Sequence, residues 1–171
     1  MRIEITRGQS DDAITMTRRD GSTAATRFPK KGPVPHDAVH YFVERGLNLR
    51  QGFWGMVAAG HHPEDIAELA KAAGHASAKR FGVPDAAIVE LLQAERLVEC
   101  FEADLWSPGG AGDAQAFCDF AAVACQSSLV PLPSQFAAHA EGIRNAIASF
   151  ALEWMDLPQG GSMQFDLDEG D

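Results

Sequence analysis

Residues 33–62 read PVPHDAVHYFVERGLNLRQGFWGMVAAGHH, and the chain changes character there. Ahead of this stretch the sequence is polar and alternating, and behind it the apolar residues recur with helical spacing. Pro33 and Pro35 keep their predecessors out of helix, and Pro35 can itself open one. A helix is therefore predicted over 36–45, ending at Gly46, with Val39, Phe42 and Val43 as its buried stripe and Leu47 continuing it. His36 and His40 stand at one border of that stripe, with Asp37 and Glu44 expected beyond them toward solvent. Residues 51–59 predict a short buried helix in which Gly55 permits close packing and Phe53, Trp54, Met56 and Val57 enter the core.

Toward the N-terminus, Ile3 and Ile5 alternate with Glu4 and Thr6, and Ile14 and Met16 repeat the period of two. Asp20-Gly21 then supplies a hairpin signal before residues 23–28. Two or three such strands cannot stand alone, so the sheet must lay its apolar face on helices.

Toward the C-terminus, His61-His62-Pro63-Glu64-Asp65 marks a helix start that carries Ile66, Leu69 and Ala70 as far as Gly74, with a further short helical turn at 75–81. The clearest helix is 85–106, led by Asp85 and striped by Ala87, Leu91, Ala94, Val98, Phe101 and Leu105. A glycine-rich loop at 107–112 precedes an alanine-rich helix capped by Asp113, and a last helix over 135–155 has Ser134 as its candidate cap. The expected fold class is α+β, a small N-terminal antiparallel β-meander packed on a predominantly helical bundle. Residues 1–158 form one domain in this reading, and 159–171 form an acidic flexible tail.

The formal charge of -10 is unevenly placed: residues 1–31 carry seven Arg/Lys against four Asp/Glu, and the remainder seven against twenty. An acidic majority disfavours nucleic-acid binding, which needs a concentrated basic surface. Cys100, Cys118 and Cys125 have no paired spacing and read as reduced core residues. The charged N-terminus has no signal-peptide core, and no apolar run approaches the roughly 18 residues that span a bilayer. The expectation is a soluble, cytoplasmic protein without a membrane partner.

His36 and His40 lie four apart on a predicted helix, so their rings can converge on one ion. Glu44 on the same helix, and Glu95 and Glu99 on the flank of the 85–106 helix with Glu102, supply carboxylates for zinc or another divalent metal. Asp37 or Glu44 is the candidate for taking a proton from a bound water, which makes metal-assisted hydrolysis of a small-molecule substrate the leading reading. The run His36-Asp37-Ala38-Val39-His40 resembles the zincin metalloprotease motif, with aspartate where that motif has its catalytic glutamate. His36-Asp37 also resembles the adjacent pair of the HD phosphohydrolase family, although no histidine precedes it. The glycines at 107–112 are not followed by the lysine and hydroxyl residue of a phosphate-binding loop. The alternative is a non-catalytic helical adaptor, with residues 47–60 forming a partner or homodimer surface.

Overall fold

A computed structural model describes residues 1–77, 84–107 and 112–168. Four strands form one antiparallel sheet: β1 (Arg2–Thr6), β2 (Asp11–Thr17), β3 (Thr23–Pro29) and β4 (Ser162–Asp166), in the order β3-β2-β1-β4. The pleat explains the alternation seen in the sequence. Ile3 pairs with Met16 and Ile5 with Ile14, and all four are buried on the face turned to the helices. Asp12 shares that inward face, where its carboxylate accepts the Gly8 N–H at 3.0 Å and pairs with Lys30 at 3.4 Å. The β2–β3 turn follows the Asp20-Gly21 signal. Gly21 has φ 81°, and the Asp20 carboxylate accepts the Ser22 N–H at 2.8 Å.

The helices are α1 (His36–Leu47), α2 (Phe53–Ala58), α3 (Pro63–Ser77), α4 (Val89–Trp106), α5 (Ala114–Ser127) and α6 (Phe136–Asp156). The α+β expectation is met, with α1 at the centre against α2, α4 and α6. It runs one residue past Gly46 and ends at Asn48, whose φ of 50° makes the left-handed cap. Gly46 is needed inside the helix because a Cβ there would lie 2.5 Å from Ile143 on α6. The α1 Leu47 carbonyl is capped in turn by the Gln135 side chain.

Asp85 and Asp113 cap as expected, each carboxylate accepting a backbone N–H, although Asp85 leads a single 3-10 turn (Ala86–Ile88) before α4 begins. Ala87 is consequently exposed and does not join the α4 stripe. Ser134 does not cap α6; the Phe136 N–H donates to the Pro133 carbonyl instead. Asp104 of α4 holds Arg144 of α6 through two bonds of 2.7 and 2.8 Å, a bidentate pair between the two helices. The expected turn at 75–81 is divided: 75–77 continue α3, and 78–83 lie outside the described residues. The loop expected at 107–112 falls mostly outside them too.

The expected flexible tail requires correction. Residues 162–166 are β4, paired with β1 from Arg2↔Asp166 to Thr6↔Ser162. Met163, Phe165 and Leu167 carry a period-two pattern amid the acidic residues, and Phe165 packs against Tyr41, Phe42 and Phe150. Arg7 secures the approach to β4 by donating to the Trp154, Met155 and Leu157 carbonyls at the end of α6. Residues 169–171 lie outside the described region. Cys100 and Cys125 are buried, and burial pushes their thiols up to about 12 and about 11. No helix among the described residues is long and apolar enough to cross a membrane.

Candidate metal centre

The start of α1 sets the site. Pro35 is extended, and the helix opens at His36, so His36, His40 and Glu44 follow one another at single-turn spacing. Steps of four residues advance about 40° around a helix, which carries Glu44 away from His36 toward α2. α4 lies alongside and presents Glu95 and Glu102, two turns apart on one line.

His36 and His40 face each other with ring centroids 4.9 Å apart. Their Nε2 atoms point at the two oxygens of a single carboxylate. Glu95 Oε2 lies 3.9 Å from His36, and Glu95 Oε1 lies 3.6 Å from His40. One ligand atom from each of His36, His40 and Glu95 falls within 4.8 Å of the other two. Tetrahedral zinc would need such atoms roughly 3.3–3.5 Å apart, so the three side chains would have to draw together to share an ion.

The Nδ1 atoms are equally well provided. His40 Nδ1 lies 2.9 Å from Glu44 Oε1, and His36 Nδ1 lies 3.0 Å from Glu102 Oε1. Carboxylates accept from Nδ1–H, and this keeps both Nε2 atoms turned toward Glu95. Glu44 is anchored by its second oxygen, which accepts the Trp54 N–H at 2.9 Å at the start of α2. A Cβ on Gly52 would come within 2.5 Å of that carboxylate, so glycine makes room for it.

Electrostatics follow from this packing. Burial opposes a charged His36, but the hydrogen bonds its ring donates to Glu102 and Glu95 and the Glu102 charge outweigh it and raise its pKa to about 9. Burial likewise opposes an ionised Glu95, yet the His36 hydrogen bond and the charges of His40 and His36 bring it down to about 2. Burial raises the Glu44 carboxyl, partly offset by its bond to His40. Asp37 is raised by burial and pulled back by His36, His40 and Lys31.

A cavity of about 700 Å³ opens beside the cluster, within the range of small-molecule sites. His36, Asp37, His40 and Glu95 line it, with Asp12 and Phe28 from the sheet and Glu68 and Lys71 from α3. The cluster thus offers two imidazole nitrogens and one carboxylate oxygen at a cavity wall, the donor set of metal sites that keep positions open.

Of the residues singled out in the sequence, His36, His40 and Glu95 come together and Asp37 lies beside them. Glu44 was expected near solvent as a ligand or base. It is buried, backs His40 from the side away from the cavity, and is not in the ligand cluster. Glu99 stands apart from the cluster: it sits about 40° around α4 from Glu95, is half exposed and pairs with Arg96 at 2.8 Å. Glu102, named with Glu95 and Glu99 in the sequence, is not in the ligand cluster but backs His36 Nδ1, and its seven-residue spacing from Glu95 marks the same helix line. His61, His62 and His139 are exposed, and the described contacts do not bring them into the cluster. Phe53, Trp54 and Val57 are core, as their pattern in the sequence predicts.

No family model, curated relative or solved structure matches the chain.

Proposed function

We propose that this protein binds a divalent metal through His36, His40 and Glu95 and uses it for hydrolysis of a small molecule. The observation that carries the reading is the doubled backing of the histidines: each Nδ1 meets its own carboxylate while both Nε2 atoms converge on Glu95. Carboxylate–histidine pairs of this kind fix ring orientation and tautomer at metal sites. Salt-bridged surface histidines need no such convergence.

A bound divalent ion would supply Lewis acidity and lower the pKa of a water at its open position. The chain's own residues do the remainder. Glu44 and Glu102 hold the imidazoles, Glu95 contributes negative charge, and Asp37 at the cavity wall accepts the water proton. Zinc fits this donor set and so does iron(II), which prefers two histidines and a carboxylate with open positions.

Elemental mass spectrometry of untagged protein tests the reading against a His36→Ala/His40→Ala double variant. Near-stoichiometric zinc or iron that the variant lacks supports it. Absence of metal, even after incubation with zinc, manganese and iron under reducing conditions, overturns it.

A further inference from the structure

The cavity wall carries cations that the metal cluster does not consume. Lys30, Lys31, Lys71 and Arg96 all line it, and they come from different segments: the end of β3 and the following loop, α3 and α4. Lys30 is already engaged, donating to the Gly8 carbonyl at 2.8 Å and pairing with Asp12. Lys31 and Lys71 make no hydrogen bond or ion pair with another described residue.

Arg96 is the most informative of the set. It follows Glu95 directly on α4, and its Nη1 bonds Glu99 at 2.8 Å. Its Nε is buried and has no acceptor, the one such side-chain atom among the described residues. That nitrogen is shielded from solvent, so the guanidinium is under-satisfied inside the wall while the side chain as a whole lines the cavity. Of the lining acids, Asp12 is paired with Lys30, Glu95 faces the histidines and Glu68 is exposed; Glu99 takes one Arg96 nitrogen, which leaves Lys31 and Lys71 as the cations without an ion pair to a described residue.

We propose that the substrate is a small phosphate monoester whose phosphoryl oxygens are held by Arg96, Lys31 and Lys71 beside the metal. The inference rests on the metal reading above and names the substrate class of that site. Cations reaching in from three segments suit a tetrahedral dianion, whose oxygens point in several directions, better than a planar carboxylate that a single arginine fork would satisfy. In the reaction the water oxygen forms a bond to phosphorus and the ester P–O bond breaks. The proton that Asp37 takes from the water passes to the departing alcohol oxygen.

Calorimetric titration of the purified full chain with phenylphosphonate, benzoate and benzyl alcohol tests this, with metal content measured on every sample. Phenylphosphonate is expected to bind, and benzoate and benzyl alcohol to bind at least about tenfold more weakly. Arg96→Gln and the Lys31→Gln/Lys71→Gln double variant should each weaken phenylphosphonate about tenfold while keeping their metal. The two lysines are at the rim, so the double variant keeps the test open if Arg96→Gln fails to fold. Equal binding of benzoate, or unchanged phenylphosphonate binding in the metal-replete double variant, overturns the substrate class and leaves the metal reading standing. Wild-type protein without metal overturns the metal reading first, and phosphonate binding that survives there would belong to the cations alone.

Discussion

His40 Nδ1 lies 2.9 Å from Glu44 Oε1, and both side chains are only 2% exposed. Glu44 has two buried donors to satisfy, His40 on one oxygen and the Trp54 N–H on the other. Glutamine at this position offers one acceptor oxygen. Glu44→Gln should therefore lower stability by about 1–3 kcal/mol and weaken metal binding by roughly 10–100-fold. Denaturant unfolding and competitive metal titration measure the two effects. Unchanged metal affinity would remove Glu44 from the site.

Gly52 makes the same point without touching a ligand. Its added Cβ would meet the Glu44 carboxylate at 2.5 Å, so Gly52→Ala should displace that group and cost about 1–3 kcal/mol. Metal affinity should fall with it. A thermal melt combined with metal analysis shows whether the two losses travel together; a variant with normal stability and full metal would contradict the account.

The two carboxylates on α4 should separate cleanly. Glu95→Gln is expected to lose metal, whereas Glu99→Gln should retain it and change stability by less than about 1 kcal/mol, because the Arg96–Glu99 pair is a partly exposed helix pair. Elemental analysis of both variants decides the matter. Loss of metal from Glu99→Gln would return that residue to the ligand set.

Protons and metal compete at His36. Its pKa is raised from 6.5 to about 9 in the metal-free fold, so its contribution to stability is fully present below pH 6.5 and is lost as pH rises through about 9. Glu95 is lowered from 4.5 to about 2, so its contribution is present above pH 4.5 and is lost as pH falls toward 2. Metal-free protein should therefore gain most from the pair between about pH 4.5 and 6.5. Metal needs the neutral ring, so binding near pH 7.5 should release about one proton from His36. Calorimetry in buffers of different ionisation enthalpy counts it. Glu102→Gln removes the main opposing charge and should reduce the release; an unaltered count would show that the proton comes from elsewhere.

Phe165 anchors the last strand among Tyr41, Phe42 and Phe150 at 8% exposure. Phe165→Ala should cost about 3 kcal/mol, the lower end for a buried phenylalanine. Leu167→Ala, nearer the end of the described chain, should cost less. Equal and small effects from both in urea unfolding would argue that β4 contributes little to the sheet.

The alternating isoleucines at the N-terminus and the four-residue step from His36 to His40 made much of the fold and two of the three clustered side chains legible in the sequence. Both are local periodicities, and each has one geometric meaning. Glu44 was misplaced because its wheel position points away from the apolar stripe, and only the docking of α2, through Trp54, closes over it. Glu99 and Glu102 were indistinguishable until α4 had a partner to face, since helical spacing ranks neighbours on a line but does not say which line is turned inward. β4 was hidden by composition: glycines and acids outweighed the Met163 and Phe165 alternation, and its partner strand lies at the other end of the chain.

That pairing gives the molecule an order of assembly. β1 and β4 meet across about 156 residues, as in the Thr6–Ser162 contact, and the Tyr41 hydroxyl donates to the Asp166 carbonyl from within the helix that carries both histidines. During synthesis, β1 therefore has one open edge, and α1 lacks its Tyr41 bond to β4, until residues 162–166 have left the ribosome. Completion of the sheet waits on residues 162–166, which makes the nascent edge of β1 the feature a chaperone would have to shield.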